Sequence, residues 1–310
     1  MTNLTSPLPL FFISALHESG GGSLGRLLDG HPELNVYPFE MQLGTKYSKE
    51  GVEGYCFQSR YRWPQFPERI SDPETLHRSI IDSELKRYLS DRKRSKFSSF
   101  GLELRWNDWV SEFRRLLPSN PRDWSRPVIV AAYLSSLFSC WKNKERSGRE
   151  HAILGHCPVI LFDAPLIFCD FPKAKMVHLM RNPLATFYDT RRRLPHLRVE
   201  EFCNLWNLTA SIAFCLEKKY PDRFRRISYE ELLSDRAKAL KGICRFFGIR
   251  FSSIILEPSW NKKRLDRIPP FGGIPEPSLS YERFAQNALP ERVRRKILQL
   301  TDHLKKICSS

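Results

Sequence analysis

A glycine-rich loop is the part of this sequence whose residue types best suit a charged ligand. It spans residues 17–23 (His-Glu-Ser-Gly-Gly-Gly-Ser), between an apolar run at 8–13 and a helical pattern at 24–28. Because glycine has no β-carbon, several backbone N–H groups can converge on one anion, and the positive end of the helix dipole adds to the attraction. The loop therefore predicts a phosphate or sulfate site. Glu18 is its exception, since a carboxylate stands where such loops usually have a cation.

A second candidate anion site follows a predicted buried strand at residues 175–180. Arg181 comes directly after this strand, and arginine forms fork-shaped hydrogen bonds to phosphate. The carboxyl ends of parallel strands share one edge of a sheet, so we expect Arg181 and the glycine loop at the same edge. Two anion sites there suit a nucleotide with phosphates at both ends. Asp189 and Thr190 lie about two turns into the next helix, on a face that could approach the ligand, whereas the arginines at 191–193 are interpreted as a solvated helix face.

Alternating strand and helix patterns must position these residues. Further short apolar runs predict strands at 34–37, 152–154 and 224–228. Helical patterns lie between them. The sequence therefore predicts an α/β fold with a mainly parallel sheet and helices on both faces, whose ligands bind at the carboxyl ends of the strands.

Two segments depart from this alternation. Residues 47–150 are predicted to form a mostly helical insertion, with helical patterns at 75–89, 106–117 and 128–141. Residues 258–277 contain five prolines and several basic residues without any period, which predicts a loop that covers another part of the molecule.

The composition is that of a globular protein with an anionic ligand or partner. The 310 residues are 41% hydrophobic and have a formal net charge of +16, which raises the local concentration of anions. We expect one domain over 1–310. The first apolar run is only as long as a strand and follows no charged segment, so neither a signal peptide nor a membrane span is expected, and a cytoplasmic location is predicted. The eight cysteines lack zinc-ligand spacing and are expected to be reduced thiols, with no metal site.

The glycine loop fails the pattern of ATP and GTP hydrolases. Gly20 and Gly25 have the G-x-x-x-x-G spacing, but Arg26 and Leu27 follow where that pattern has lysine and a serine or threonine. The phosphate-binding lysine and the magnesium-binding hydroxyl are both missing from the motif, so nucleotide hydrolysis is not expected.

Together these motifs resemble the sulfotransferase family, which uses 3′-phosphoadenosine 5′-phosphosulfate as sulfuryl donor. Three groups of residues in the expected order carry the resemblance: 19–23 with 27–32, 171–175 through 181–183, and 227–232 followed by 243–248. It covers most of the chain outside the insertion. The resemblance implies a P-loop-like sulfotransferase architecture and transfer of a sulfuryl group to a hydroxyl of a carbohydrate or small metabolite, including an anionic one. The insertion is the region expected to recognise this acceptor.

The resemblance also implies roles for single residues. The loop would bind the 5′-phosphosulfate, Arg181 the 3′-phosphate, and Tyr229 would lie near the adenine. The cofactor-binding set is then Ser19, Gly20, Gly21, Gly22, Ser23, Arg181, Asp189 and Tyr229. Glu40 is the candidate base that takes the proton of the acceptor hydroxyl, with His17 as a substitute. An ion pair between Glu40 and a cation of the insertion is equally compatible with the sequence. The basic residues of the late loop, Lys262, Lys263, Arg264 and Arg267, either contact the cofactor or are solvated.

Three positions depart from the family pattern. Glu18 replaces a lysine or arginine, Asp189 replaces a serine that binds the 3′-phosphate, and His156 stands where relatives commonly have lysine. Arg26, His17 or a basic residue of the late loop would have to supply the missing positive charge. The alternative function is therefore a catalytically inactive, nucleotide-binding or scaffold protein of the same fold. Nucleic-acid binding rests on net charge alone.

Overall fold

The fold is known from a computed structural model that describes residues 8–43, 63–64, 66, 70–266 and 278–308, with side chains up to residue 302. The strands of the described residues are β1 Leu10–Ala15, β2 Leu34–Glu40, β3 Ala152–His156, β4 Lys175–Met180, β5 Phe224–Ser228, β6 Ser259–Trp260 and β7 Lys263–Arg264. The helices are α1 Gly21–Asp29, α2 Pro73–Ile80, α3 Ser83–Ser90, α4 Trp106–Leu116, α5 Arg126–Cys140, α6 Ala164–Asp170, α7 Pro183–Arg193, α8 Val199–Lys219, α9 Tyr229–Ser234, α10 Arg236–Phe247, α11 Leu279–Asn287 and α12 Glu291–Cys308.

The first five strands form one parallel sheet in the order β2-β3-β1-β4-β5. β1 lies at its centre, and the chain leaves it first towards β2 and β3 and later towards β4 and β5. The loops after β1 and β4 are therefore neighbours at the carboxyl edge, where ligands of such sheets bind. The predicted α/β fold is confirmed.

Both faces of the sheet are buried under helices, as predicted. Alternate residues of β1 point to opposite faces, so Leu10 and Phe12 join one core while Phe11 and Ile13 join the other. All four are at most 4% exposed. The first core includes residues of α4, α5 and α8, and the second includes residues of α1 and α10. Burial on both faces explains why the sequence of β1 is an unbroken apolar run.

Helices α2 to α5 lie between β2 and β3, within the predicted insertion. The prediction of one continuous helix over 75–89 was wrong, because Asp82 begins a new helix there. Its carboxylate accepts a hydrogen bond of 2.7 Å from the backbone N–H of Leu85, as an N-cap does. The same carboxylate accepts a hydrogen bond from the hydroxyl of Tyr37, in β2. Asp82 thus starts α3 and fixes it against the sheet.

The late basic segment begins as a tight hairpin. β6 and β7 are antiparallel and joined by Asn261 and Lys262, whose φ angles of 53° and 59° give the turn its left-handed backbone. The Lys262 ammonium donates to the carbonyl of His31 at 2.7 Å and lies 3.3 Å from a carboxylate oxygen of Glu150. Lys263 and Arg264 also pair with carboxylates. Arg267 and the remainder of the predicted covering loop, residues 267–277, lie outside the described residues.

Two further observations concern the chain as a whole. In the part of the chain that the structure describes, no helix combines the length and the apolar character needed to cross a membrane. The six cysteines described, Cys140, Cys157, Cys169, Cys203, Cys215 and Cys244, are unpaired. The cytoplasmic location stays a prediction.

Candidate functional site at the carboxyl edge of the sheet

All five strands of the parallel sheet contribute a candidate residue where they end. β1 leads into residues 19–23, named here the glycine cradle. In the order of the sheet the other contributors are Glu40 at the end of β2, His156 at the end of β3, Arg181 after β4 and Tyr229 after β5. The fold therefore brings the predicted catalytic and cofactor-binding residues to one edge.

The glycine cradle requires glycine at two of its three glycine positions. A β-carbon on Gly20 would lie 2.2 Å from the ring of Tyr229, and one on Gly21 would lie 2.4 Å from Nε2 of His156. Gly20 also has a left-handed φ of 87°. The first hydrogen bond of α1 runs from Leu24 N–H to the carbonyl of Gly20, so the preceding N–H groups of the first turn have no partner within the helix. This is the arrangement of an anion site.

The two serines flank these glycines. Ser19 is buried immediately before them, and its backbone N–H donates to the carbonyl of Leu16 at 3.1 Å. Ser23 lies in the first turn of α1 and is partly exposed. Ser23 is thus placed to offer a hydroxyl beside the N–H groups of the cradle.

Glu18 is neutralised by an arginine that the sequence interpretation assigned to solvent. The Glu18 carboxylate, 7% exposed, forms a salt bridge with Arg193 at the end of α7. Burial raises the pKa of Glu18, and Arg193 partly opposes this effect. Arg193 is exposed, as expected of a solvated helix face, with 48% of its side chain accessible, and its guanidinium also pairs with Glu18. It supplies positive charge to the carboxylate, and Glu18 does not stand unpaired at the cradle.

Arg181 is engaged entirely within the protein. Its Nε and Nη2 donate to the two carboxylate oxygens of Glu282, in α11, at 2.9 and 2.5 Å. Its Nη1 donates to the backbone carbonyl of Glu18 at 2.5 Å. Burial would lower the pKa of Arg181, but the hydrogen bonds and charge of Glu282 hold it above the ordinary value. The guanidinium of the predicted phosphate-binding arginine is therefore already hydrogen-bonded to a carboxylate.

Asp189 adds a second carboxylate to this arginine. Its Oδ2 lies 2.8 Å from Nη1 of Arg181, without the alignment of a hydrogen bond. Its Oδ1 accepts a hydrogen bond of 2.5 Å from the hydroxyl of Tyr281, the residue before Glu282. Asp189 is 1% exposed. We name Arg181, Asp189, Tyr281 and Glu282 the arginine cluster. The structure thus places Asp189 beside Arg181 as its ion-pair partner.

A second ionic cluster surrounds the candidate base. Glu40 pairs with Lys96 of the insertion at 2.7 Å and accepts a hydrogen bond from the amide of Gln42. His156 is the parallel-sheet partner of Glu40. Burial raises the pKa of Glu40, but Lys96 and His156 outweigh it and the net pKa is lowered. Burial lowers the pKa of His156 to about 4. At neutral pH, Glu40 is therefore ionised and His156 is neutral. We name Glu40, Gln42, Lys96 and His156 the Glu40 cluster.

The remaining candidate cations, His17 and Arg26, have different surroundings. A positive charge on His17 contributes to lowering the pKa of Glu40. Arg26 is buried in α1 and donates to the carbonyl of Pro38 at 3.4 Å, and its Nη1 has no hydrogen-bond partner. Burial lowers the pKa of Arg26.

The sequence interpretation missed Lys96, Arg193 and Glu282. Only Arg193 had a local signal. It lies four residues after Asp189 on the same helix and therefore on the same face, where the two side chains approach one region. Lys96 and Glu282 reach their partners across 56 and 101 residues of sequence. No spacing rule connects residues so far apart.

Comparisons with known proteins show the family and the fold of this chain. A family model described as "Sulfotransferase family" matches residues 9–253. No curated protein matches the chain significantly. The sulfotransferase domain of the Synechococcus PCC 7002 olefin synthase has 17% identity and a TM-score of 0.52, over 98% of this chain and 96% of that one. This likeness concerns the fold.

Two other solved structures are less similar. A sulfotransferase from Alicyclobacillus acidocaldarius has 15% identity and a TM-score of 0.41, over 96% of this chain and 95% of that one. A retinol dehydratase in complex with androsterone and the inactive cofactor PAP has 10% identity and a TM-score of 0.38, over 96% and 82%. The family match over most of the sequence is the decisive finding, and the chain belongs to the sulfotransferase family.

Proposed function

We propose that this protein transfers a sulfuryl group from 3′-phosphoadenosine 5′-phosphosulfate to a hydroxyl of a carbohydrate or other small metabolite. The observation that carries the proposal is the row of candidate residues along the carboxyl edge of the sheet, with the glycine cradle between the arginine cluster and the Glu40 cluster. Family membership supports sulfuryl transfer in general.

The two ends of the donor fit the site unequally. The cradle suits the 5′ end, because Gly20 and Gly21 leave no room for a side chain and the first turn of α1 offers unpaired N–H groups. The arginine cluster suits a 3′-phosphate poorly, because Glu282 and Asp189 already surround Arg181. We therefore assign donor binding chiefly to the cradle.

The donor supplies a sulfuryl group whose bond to the phosphate oxygen breaks as the acceptor oxygen attacks sulfur. The N–H groups of the cradle would stabilise the charge that develops on this phosphate oxygen. The acceptor hydroxyl would lose its proton to the Glu40 cluster. Lys96 keeps Glu40 ionised at neutral pH and so able to accept a proton. His17 is the substitute base.

The insertion at 47–150 is our proposed acceptor-binding region, within a single domain over 1–310. Its Lys96 contacts Glu40, and the ring of Phe97 stacks on Phe39 with 4.3 Å between centroids. The insertion thus borders the candidate base.

The test is transfer of labelled sulfate from the donor to a panel of sugar and metabolite hydroxyls. We expect transfer by the native protein and a loss of about 10²- to 10⁴-fold in kcat in Glu40→Gln, the range that a catalytic base contributes. Glu291→Gln serves as the matched control, since Glu291 is exposed in α12, outside the insertion, and pairs with Arg295. Full activity of Glu40→Gln would make Glu40 an ion-pair partner only.

A second candidate function is favoured by one observation. Arg181 is held by two carboxylates, as expected for a nucleotide-binding or scaffold protein of this fold that has lost transfer activity. Binding of 3′-phosphoadenosine 5′-phosphate without transfer to any acceptor in the panel would support this candidate. Labelled sulfate on an acceptor would eliminate it.

A further inference from the structure

The carboxylate of Glu282 binds the guanidinium of Arg181 with the geometry that a bound phosphate would have. Two carboxylate oxygens face Nε and Nη2 of the guanidinium, which is the two-pronged geometry in which arginine also binds phosphate. The backbone carbonyl of Glu18 takes Nη1. Each nitrogen of Arg181 thus donates to a protein oxygen, and the side chains of Arg181 and Glu282 are only 4% and 3% exposed.

The charges around Arg181 favour neutral over anionic ligands. Arg181 contributes one positive charge, whereas Glu282 and Asp189 can contribute two negative charges. A phosphate arriving here would have to displace Glu282 and would still face Asp189, 2.8 Å from Nη1. Carboxylates beside a nucleotide commonly accept hydrogen bonds from ribose hydroxyls, whereas arginine accommodates a ribose phosphate.

Neighbouring contacts hold Glu282 in this position. Ser278 caps α11 by accepting a hydrogen bond of 3.1 Å from the N–H of Tyr281. The hydroxyl of Tyr281 donates to Asp189. Phe284 packs edge to face on Tyr188 of α7, with 5.9 Å between centroids. The Glu282–Arg181 pair therefore belongs to the packed interface between α11 and α7.

We propose that Glu282 is a specificity-determining residue, which competes with a nucleotide 3′-phosphate for Arg181 and removes most of the preference for that phosphate. This inference rests on the proposed function, since it assumes a nucleotide bound at the cradle. The native protein then binds nucleotides with a 3′-hydroxyl about as well as those with a 3′-phosphate, and uses adenosine 5′-phosphosulfate as a donor beside its 3′-phosphorylated form.

The test is calorimetric titration with adenosine 5′-phosphate and with 3′-phosphoadenosine 5′-phosphate. In the native protein we expect the two Kd values to differ by less than about threefold. In Glu282→Gln, the Kd of the 3′-phosphorylated nucleotide should fall about ten- to a hundredfold, which is what a hydrogen bond to a charged group supplies. The Kd of adenosine 5′-phosphate should stay unchanged. The double variant Glu282→Gln/Arg181→Met should lose the gain.

Two further variants make the result specific. Glu257→Gln removes the same charge from an exposed pair with Arg264 and should leave both Kd values unchanged. Asp189→Asn removes the other carboxylate and should give a smaller gain for the 3′-phosphorylated nucleotide, which provides an independent reading should Glu282→Gln fold poorly.

The outcomes separate the inference from the proposed function. A strong preference of the native protein for the 3′-phosphorylated nucleotide overturns the inference alone, as does an unchanged ratio of Kd values in both Glu282→Gln and Asp189→Asn. Failure of every folded variant to bind either nucleotide overturns the proposed function and this inference with it.

Discussion

The glycine cradle and the arginine cluster follow neighbouring strands, β1 and β4, yet they are built differently. The cradle consists of backbone N–H groups whose positions follow from the start of α1, and glycine is required there by the close approach of Tyr229 and His156. The arginine cluster consists of side chains from three segments, and Glu282 comes from a helix 101 residues away in sequence. A binding site made of backbone N–H groups is kept as long as the fold is kept. A binding site made of side chains can be blocked when a single acidic residue pairs with its arginine.

The largest expected effect concerns the stability of the arginine cluster. Arg181→Met would leave the carboxylates of Glu282 and Asp189 buried without their cation, and we expect the free energy of unfolding to fall by about 3–5 kcal/mol. Arg181→Met/Glu282→Leu should recover part of this loss. Urea unfolding measures both. Arg283→Met, at an exposed position of α11, is the matched control and should change the stability by less than about 0.5 kcal/mol. Equal stability of Arg181→Met and the native protein would mean that the cluster is not a structural unit.

The next effect concerns the backbone of the cradle. In Gly21→Ala the new β-carbon would lie 2.4 Å from Nε2 of His156 and 2.8 Å from the β-carbon of Ala15, so the start of α1 must shift. We expect kcat/KM for sulfuryl transfer to fall about a hundredfold, because displacement of groups by about 1 Å has this cost. Gly242→Ala, in α10, meets no atom within 4 Å and should retain full activity. Retained activity in Gly21→Ala would show that donor binding does not depend on the cradle.

The smallest effect concerns Glu18, which directly precedes the glycine cradle and whose backbone carbonyl accepts a hydrogen bond from Arg181. Its carboxylate is partly shielded by Arg193, so Glu18→Gln should tighten binding of 3′-phosphoadenosine 5′-phosphate by no more than about fivefold. The pKa of Glu18 is raised from 4.5. Protonation removes a negative charge next to the cradle, so the affinity of the native protein should rise as the pH falls towards 4.5.

The ratio of native to variant affinity isolates the contribution of Glu18 from the titration of the nucleotide itself. This ratio should approach one at low pH and depart from one as the pH rises through the raised pKa of Glu18. Glu257→Gln, titrated in parallel, should follow the native protein at every pH. A ratio that does not vary with pH would mean that the Glu18 carboxylate does not act on the ligand.

The sequence could predict the parts of this site that depend on local pattern. The strand, glycine loop and helix at the cradle are consecutive in the chain, and Arg181 directly follows an apolar strand, so a parallel sheet brings them to one edge. Asp82 shows the limit even of local pattern, because apolar spacing continues across 75–89 while its N-cap starts a new helix. The spacing of apolar residues indicates which face of a helix is buried, but it does not indicate where the helix begins.

The ion pairs of the site could not be predicted in the same way. Lys96 and Glu282 meet Glu40 and Arg181 only after the insertion and α11 have packed on the sheet. From the sequence alone, a charged residue that faces solvent cannot be distinguished from one that pairs with another charged residue. The sequence indicated that Glu40 could serve as base or as ion-pair partner of a cation in the insertion, and the structure identifies that cation as Lys96.

The ring of Tyr229 physically joins the two regions compared above. One side of it abuts Gly20, where a β-carbon would be 2.2 Å away, and the guanidinium of Arg181 lies 5.3 Å from its centroid. A ligand that shifts this ring at the cradle must also change the surroundings of Arg181. Thermodynamic linkage makes such coupling reciprocal. Because the Kd of adenosine 5′-phosphate is expected to be the same in the native protein and in Glu282→Gln, this nucleotide should bind without moving the Tyr229 ring relative to Arg181.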